Sequence, residues 1–279
     1  YLARNQQRYP QQDIKLVDYQ TPAEMVRAYR YGLLDGIFVT TQFILDRRML
    51  PEDTRIVYVI DSSSGGDSLV AQPGIRHLHE LEGRRVGIEA GPLGGYMLQR
   101  ACEAAGLERH EIELVYVDTP DQETAFRQGR VDAVITYEPT RSLLLKHGAV
   151  ELFSSRQIPN EILDVLLVST EVLATREREL RAFVAALSLA RDALDTADES
   201  ALQPLAQRQG LSVAEFKEAL AGMVLLGLDE NRALFSGQRP LLTYLETQID
   251  TMLAARLIGN PIEPARVIDD RLFRVREYP

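Results

Sequence analysis

The stretch DGIFVTT at residues 35–41 is the best guide to the fold, because a similar stretch, VDAVITYEP, recurs at residues 131–139. Before each stretch, a helical pattern (residues 24–31 and 122–128) ends near a glycine, and an aspartate then leads into an apolar strand. Two similar α/β halves predict two lobes with a cleft between them. Ligands of open α/β sheets bind at the carboxyl ends of strands. The residues that end the two strands are therefore candidate ligand contacts: Thr40, Thr41, Gln42, Tyr137 and Glu138.

Composition and charge narrow the class of protein. The chain has 279 residues, which favours two domains, and it has no apolar run near the ~20 residues that a membrane span needs. The net charge of −10, with Lys and Arg scattered among acids, argues against a nucleic-acid partner, because such binding relies on clustered basic residues. The single cysteine, Cys102, predicts an inert buried thiol. The four histidines form no ligand set, so we predict neither a metal site nor a cofactor.

Strand and helix patterns alternate through the first 170 residues. Because the strand runs are apolar along their length, the first lobe is predicted to be a parallel sheet covered on both faces. Its predicted strands are residues 13–19, 36–40 and 55–60, and its predicted helices are 1–7, 22–31 and 42–48. A second series follows between residues 68 and 160, and residues 160–169 predict a strand that returns to the first lobe. From residue 171 the pattern is helical, with VLLGL at 224–228 as buried core.

Two glycine-rich turns contain further candidate ligand contacts. SSSGGD at residues 62–67 would lie at the base of the cleft with its hydroxyls, N–H groups and carboxylate, or would simply be a turn capped by Asp67. GPLGGY at residues 91–96 opens a helix, whose unpaired N–H groups would hold a carboxylate, sulfonate or phosphate unless the segment is a plain turn. The candidates from these turns are Ser64, Gly65, Asp67, Gly91, Gly94, Gly95 and Tyr96.

Two further acids have alternative roles. Glu138 would either cap the helix that follows it or accept a hydrogen bond from a ligand. Asp164 is an unusual acid within an apolar strand, and we expect it to face the cleft rather than a structural arginine. Together with Asp67, these acids favour a ligand with an amino group or another donor, whereas the glycine-rich turn at 91–96 favours an anionic end.

Several of these segments resemble the nitrate/sulfonate/taurine-type periplasmic substrate-binding proteins of ABC transporters, an NMT1/THI5-like group that also binds thiamine-pyrimidine precursors. The segments are IFVTT at 37–41, DSSSGGDSLV at 61–70, LEGRRVGIE at 81–89, VDAVITYEP at 131–139 and IPNEILDVLLV at 158–168. The resemblance implies an α/β, type II periplasmic binding protein fold, in which two lobes of parallel or mixed sheet close on a small ligand and a C-terminal helical region packs on lobe 1. It also implies that the family's first strand and one ligand-contacting loop precede Tyr1.

Pattern and resemblance together predict lobe 1 at residues 1–66 and 166–279 and lobe 2 at residues 67–165. The predicted function is a solute-binding protein, not an enzyme, that captures a sulfonate- or taurine-like anion or an aminopyrimidine for uptake through an ABC permease. We expect a monomer with a periplasmic or extracytoplasmic location, a lipid anchor being one option, and with its signal segment outside this chain. Two alternatives stay open: a ligand-sensing extracytoplasmic domain of a signalling protein, and an enzyme on the same fold, such as a chorismate dehydratase.

Overall fold

The computed structural model describes residues 14–236 and 240–274, and these residues form an α/β protein with two sheets. The strands are β1 (Gly36–Thr40), β2 (Thr54–Ser63), β3 (Asp67–Ala71), β4 (Arg85–Ile88), β5 (Glu113–Tyr116), β6 (Ala133–Tyr137), β7 (Val150–Ser154), β8 (Leu163–Ser169) and β9 (Met223–Leu225). The helices are α1 (Pro22–Arg30), α2 (Pro92–Ala105), α3 (Thr119–Arg127), α4 (Thr140–Lys146), α5 (Thr170–Thr175), α6 (Glu177–Asp195), α7 (Glu199–Arg208), α8 (Val213–Leu220), α9 (Leu228–Phe235), α10 (Pro240–Ala254) and α11 (Pro264–Val267). No helix within the described ranges is long and apolar enough to cross a membrane.

The first sheet has the strand order β1-β8-β2-β9. β8 lies between β1 and β2 and is antiparallel to both, and β9 is antiparallel to β2. The predicted parallel sheet of the first lobe is therefore wrong. Its strands are apolar along their length because both faces are covered, as the fully buried Ile56 and Val57 on opposite faces of β2 show.

The second sheet has the order β5-β4-β6-β3-β7. β5, β4 and β6 are parallel, as βαβ connections require, whereas β3 is antiparallel to both β6 and β7. All of its strands fall between Asp67 and Ser154. The exact division of the chain into lobes at residues 66/67 and 165/166 stays a prediction.

Local signals explain several helix ends. Thr21 caps α1 by accepting a hydrogen bond from the Glu24 N–H at 3.3 Å, with Pro22 at the first helical position. The two recurring glycines, Gly32 and Gly129, follow α1 and α3 with φ of +69° and +65°, a conformation that favours glycine. Cys102 is buried in α2, as predicted.

Three predicted elements differ from the structure. Residues 14–19 form no strand, and Val17 is 57% exposed, because no neighbouring strand pairs with this segment. The predicted helix 42–48 is only a short 3-10 turn, Thr41–Phe43. The apolar run 224–228 is core only in part: β9 adds to the sheet edge and leaves Val224 56% exposed, whereas Leu226 and Leu228 pack half-buried against the core. The predicted helix 1–7 lies outside the described residues, as does residue 13 of the predicted first strand.

Candidate functional site

A cavity of about 260 Å³ lies between the two sheets, where strand ends of both meet. Its apolar wall consists of Pro22, Met25, Phe38, Val39, Phe43, Leu93 and Met223, and three glycines, Gly66, Gly91 and Gly94, also line it. Its polar side chains are Thr40, Asp61, Ser63, Asp67, Glu89, Tyr137, Glu138 and Asp164. Five of these are carboxylic acids, and neither lysine nor arginine is among the lining residues.

A row of polar residues crosses the first sheet at this cavity. In the strand register, Asp164 of β8 lies opposite Thr40 of β1 on one side and Asp61 of β2 on the other. Directly opposite residues of antiparallel strands have Cβ atoms about 5 Å apart, and like charges in such positions are destabilising. Two aspartates thus occupy neighbouring positions that a purely structural sheet would avoid.

An irregularity in β2 produces this pairing. The register between β2 and β8 shifts between Val59 and Asp61, which brings Asp61 opposite Asp164. Bulges of this kind redirect side chains and are common next to functional sites. The backbone N–H of Val59 donates to the Asn231 Oδ1 at 2.7 Å, and the Asn231 Nδ2 donates to the Val59 carbonyl at 2.8 Å. The buried Asn231 of α9 therefore holds the strand in this irregular register.

In the described part of the chain, the aspartates of the cavity have no basic partner. Asp61 is 7% exposed, and within residues 14–236 and 240–274 neither Asp61 nor Asp164 receives a side-chain hydrogen bond or an ion pair. Burial, reinforced by the charges of Asp164 and Asp67, raises the pKa of Asp61 well above its usual value. Burial and the Asp67 charge raise the pKa of Asp164 to about 7. Burial also raises the pKa of Asp67 to about 6, against the lowering effect of a hydrogen bond from Ser63.

Two more polar atoms of the cavity lack a partner. The Thr40 Oγ1 and the Glu89 Oε1 are both buried and without a hydrogen bond within the described residues. Burial raises the pKa of Glu89, partly offset by a hydrogen bond from Thr119. Because buried polar atoms of native proteins are normally satisfied, these two atoms, on residues that line the cavity, are candidate ligand contacts.

Glu138 lines the same cavity but is paired. Its Oε1 accepts from the Arg141 Nη1 at 2.9 Å, and its Oε2 accepts from the backbone N–H of Ser142 at 3.2 Å. Arg141 also donates to the Glu151 carboxylate at 2.6 Å and, through Nε, to the Ser68 Oγ at 2.9 Å. Of the two roles predicted for Glu138, capping the following helix is thus realised.

The structure brings together seven of the thirteen residues selected from the sequence and places six elsewhere. Those that line the cavity are Thr40, Asp67, Gly91, Gly94, Tyr137, Glu138 and Asp164. Those that do not line it are Thr41, Gln42, Ser64, Gly65, Gly95 and Tyr96.

Three of the six residues outside the cavity hold elements together through side-chain hydrogen bonds. The Thr41 Oγ1 donates to the Gln248 Oε1 at 2.7 Å. The Gln42 Nε2 donates to the Glu161 carbonyl at 2.7 Å, and the Tyr96 hydroxyl donates to the Glu161 Oε2 at 2.5 Å. These three side chains, selected as candidate ligand contacts, therefore make tertiary contacts instead.

The other three residues, Ser64, Gly65 and Gly95, lie where the backbone packs closely against other parts of the protein. The Gly65 N–H donates to the Ser155 Oγ at 2.6 Å, and the Ser64 N–H donates to the Gly222 carbonyl at 2.8 Å. A Cβ on Gly65 would lie 2.5 Å from the guanidinium carbon of Arg156. A Cβ on Gly95 would lie 2.9 Å from the Leu257 side chain, so this face of α2 packs against protein and not against the cavity.

Sequence reasoning missed two acids of the cavity, Asp61 and Glu89, and left Ser63 out of the candidate list although its segment, 62–67, was placed at the cleft. Asp61 follows the apolar run IVYVI, and Glu89 follows the strand that ends at Ile88. The rule that selected Thr40, a polar residue at the end of an apolar strand, would also have selected these two acids.

Comparison with known proteins identifies relatives along much of the chain. A family model described as NMT1/THI5 like matches residues 36–199. A protein of Escherichia coli (strain K12), provisionally named an aliphatic sulfonates-binding protein, is 28% identical over 151 residues, which are 53% of this chain and 47% of the relative. A provisionally named binding protein of Brucella abortus (strain 2308) is 23% identical over 144 residues, 49% of this chain and 44% of the relative. The matches span about half the length of these curated relatives.

Solved structures show the same fold over nearly the whole chain. The alkanesulfonate-binding protein SsuA from Xanthomonas axonopodis pv. citri, bound to MOPS, superposes with a TM-score of 0.82 at 19% identity, covering 96% of this chain and 93% of that one. The periplasmic aliphatic sulphonate binding protein SsuA from Escherichia coli gives 0.77 at 20% identity, covering 96% and 87%. The desulfurization enzyme DszB, in complex with biphenyl-2-sulfinic acid, gives 0.65 at 18% identity, covering 92% and 89%. The fold is therefore that of the periplasmic binding proteins, as predicted.

Proposed function

This chain belongs to the NMT1/THI5-like family, and we propose that it is a solute-binding protein that captures a small polar ligand in the cavity between its sheets and delivers it to an ABC-type permease. One observation supports this function most directly: strand ends of both sheets line a single cavity of about 260 Å³ that contains unpartnered polar atoms. A cavity of this kind is suited to binding a small molecule from two sides. Two proteins that share the fold are named as sulfonate-binding proteins and one of them as periplasmic, which supports a periplasmic or extracytoplasmic location.

Ligand capture would take place by closure of a lobe built on the first sheet, which includes Asp164 of β8, against a lobe built on the second sheet. The chain crosses from the first sheet to the second at residues 64–66 and returns before β8. A rotation about these two crossings would bring Thr40, Asp61 and Asp164 of one sheet toward Asp67 and Tyr137 of the other. The ligand would favour the closed state because only that state offers contacts from both sheets. The protein would act as a monomer.

Binding, rather than thiol chemistry, is supported by the position of the only cysteine. Cys102 is buried, does not line the cavity, and burial raises the pKa of its thiol to about 11. The similarity to DszB therefore concerns the fold, and fold alone does not determine activity. The sensor alternative shares the same cavity and differs only in the membrane partner, so an uptake measurement separates the two.

A thermal-shift screen tests the function. The panel would contain sulfonates, taurine, aminopyrimidines, amines and amidines, and a ligand at about 100 times its Kd should add nearly 3 kcal/mol to the unfolding free energy. Mass spectrometry should recover the bound ligand unchanged, and uptake of the ligand should be lost in cells that lack the protein. Chemical conversion of the ligand, or a complete absence of stabilisation across the panel, would overturn the proposal.

A further inference from the structure

Resting on the proposed solute-binding function, we infer that this cavity selects an organic cation, whose N–H groups bind the carboxylates of Asp61, Asp164 and Asp67, over the sulfonates for which its relatives are named. The class comprises small amidinium, guanidinium and ammonium compounds with a flat or apolar body.

The pairing of acids elsewhere in the molecule is the first reason. Several partly buried acids outside the cavity have arginine partners: Asp46 with Arg48, Asp132 with Arg85, Glu161 with Arg100, Asp269 with Arg271, and Glu151 with Arg141, which also pairs with Glu138 of the cavity wall. Asp61 and Asp164 lie opposite each other with no such cation in the described part of the chain. A buried carboxylate without a partner is costly, and a bound cation would supply the missing charge.

The hydrogen-bonding character of the wall is the second reason. The polar side chains that line the cavity offer oxygen atoms only. Two of the hydroxyls are engaged, because the Ser63 Oγ bonds to the Ser155 Oγ at 2.8 Å and the Tyr137 hydroxyl bonds to the Thr119 Oγ1 at 3.0 Å. The unpartnered Thr40 Oγ1 and Glu89 Oε1 remain as further acceptors. A wall rich in acceptors is complementary to a ligand rich in N–H donors.

The glycine-rich turn does not counterbalance these acids. A Cβ on Gly94 would lie 3.2 Å from both the Glu89 carbonyl and the Ile88 Cβ, and one on Gly91 would lie 3.4 Å from the Phe43 ring. Close packing of α2 on β4 therefore accounts for Gly94, whereas a Cβ on Gly91 would make only an ordinary contact. An anion at this helix end would also lie near Glu89, a carboxylic acid of the same wall.

The apolar wall sets the body of the ligand. Met25, Phe38, Phe43, Leu93 and Met223 face the same cavity as the aspartates. Aromatic faces attract cations, and thioethers adapt to flat rings. The cavity thus combines an acidic end with an apolar surface, which suits an aromatic amidine better than a small hydrated ion.

Cation binding would be coupled to proton release. Six titratable groups from both sheets face the ligand position: Asp61, Asp67, Glu89, Tyr137, Glu138 and Asp164. Their mutual repulsion and burial favour protonated aspartates in the empty cavity, and a cation would displace those protons. Affinity for a cation should therefore rise with pH between about 5.5 and 8, whereas affinity for a sulfonate should fall.

Calorimetry with three probes of similar shape provides the test: benzamidine, benzamide and benzenesulfonate, with taurine as a zwitterion. At pH 8 we expect benzamidine to bind at least a hundredfold more tightly than benzenesulfonate, with benzamide and taurine weaker than benzamidine. Repeating the titration in two buffers of different ionisation enthalpy should show protons released on benzamidine binding. Tighter binding of benzenesulfonate or taurine would overturn the cation inference and leave the solute-binding function standing. If no probe of any charge class binds, both would fall.

Variants locate the binding in the cavity. Asp61→Asn and Asp164→Asn keep the side-chain shape and should each weaken benzamidine binding more than thirtyfold while remaining folded, as judged by circular dichroism and melting temperature. Asp35→Asn is the matched control, because it removes an exposed carboxylate at the opposite end of β1. Equal benzamidine affinity in all three variants would overturn the inference, whatever the wild-type affinity.

Discussion

Two groups of carboxylates near the cavity differ in whether an arginine accompanies them. In the first, Arg141 lies between Glu138 and Glu151 and bonds to both, with its side chain only 10% exposed. In the second, Asp61 of β2 and Asp164 of the neighbouring β8 lie opposite each other. No basic side chain of the described residues pairs with either of them. Both groups place carboxyl groups in largely buried positions, and among the described residues only the first group has an arginine partner.

The difference shows how the molecule separates support from recognition. Arg141 of α4 bonds to Ser68 of β3, Glu151 of β7 and Glu138. These bonds hold the second sheet and the Glu138 side chain in place. The Asp61 and Asp164 pair contributes repulsion instead of stability, a cost typical of sites that await a ligand. Substitutions in the first group should therefore lower stability, and substitutions in the second should lower ligand affinity.

The largest effect is expected from Arg141→Ala. Removing the guanidinium leaves the buried Glu138 and the partly exposed Glu151 without their main partner, and the loss of one member of a buried ion pair costs about 3–5 kcal/mol. Urea unfolding would measure this loss. The control is Arg127→Ala, which breaks an exposed pair with Glu123 and should change the unfolding midpoint little. Similar midpoints for the two variants would show that the Arg141 group is not a supporting element.

In contrast to Arg141→Ala, Asp164→Asn should raise the free energy of unfolding at neutral pH in the ligand-free protein. Because the pKa of Asp164 is raised to about 7, the folded protein holds a proton that the unfolded chain has lost, so stability falls as pH rises from about 4 to 7. The asparagine variant lacks this loss. Its free energy of unfolding, relative to that of the wild type, should rise by on the order of 3 kcal/mol between pH 4 and pH 8.

Urea titrations at several pH values would measure this gain, with Asp35→Asn as the surface control. A constant difference in unfolding free energy between Asp164→Asn and wild type across this range would mean that Asp164 is not strained by burial. The same variant is predicted to bind cations poorly, so stability and affinity should change in opposite directions.

Asn231→Ala should cost about 2 kcal/mol, because it leaves the buried N–H and carbonyl of Val59 without partners. It should also weaken ligand binding, since Asn231 holds the irregular register that places Asp61 opposite Asp164. Hydrogen exchange would show faster exchange at the Val59 amide. An unchanged exchange rate at this amide would show that Asn231 does not hold β2 in its irregular register.

The smallest effect comes from a pair of neighbouring threonines. Thr40→Val removes an oxygen that has no partner in the empty cavity, so stability should hold while affinity falls about fivefold, the equivalent of one hydrogen bond. Thr41→Val breaks the bond to Gln248 and should lower stability by about 1 kcal/mol without a direct effect on affinity. Calorimetry and urea unfolding of both variants would measure the contrast, and identical behaviour would contradict the assignment of Thr40 to the cavity.

Neighbouring residues of a strand end point in different directions, and this limits prediction from sequence. Thr40 and Thr41 looked equivalent in the sequence, yet one lines the cavity and the other bonds to Gln248 of α10. Gly94 and Gly95 differ in the same way, because successive helix positions face different neighbours. Asp164, selected because an acid within an apolar strand needs a special environment, lines the cavity, and its role in ligand binding stays a prediction.

The sequence by itself determined the α/β class, the family resemblance and the position of most strands and helices, because apolar periodicity, caps and glycine-ended helices are local signals. The tertiary structure alone decided that β8 runs antiparallel between β1 and β2, and that a bulge places Asp61 opposite Asp164. It alone decided which acids are paired, since Arg141 meets Glu151 and Ser68 only when β3, β7 and α4 come together. Charge pairing depends on distances between segments remote in the chain, and no local pattern encodes those distances.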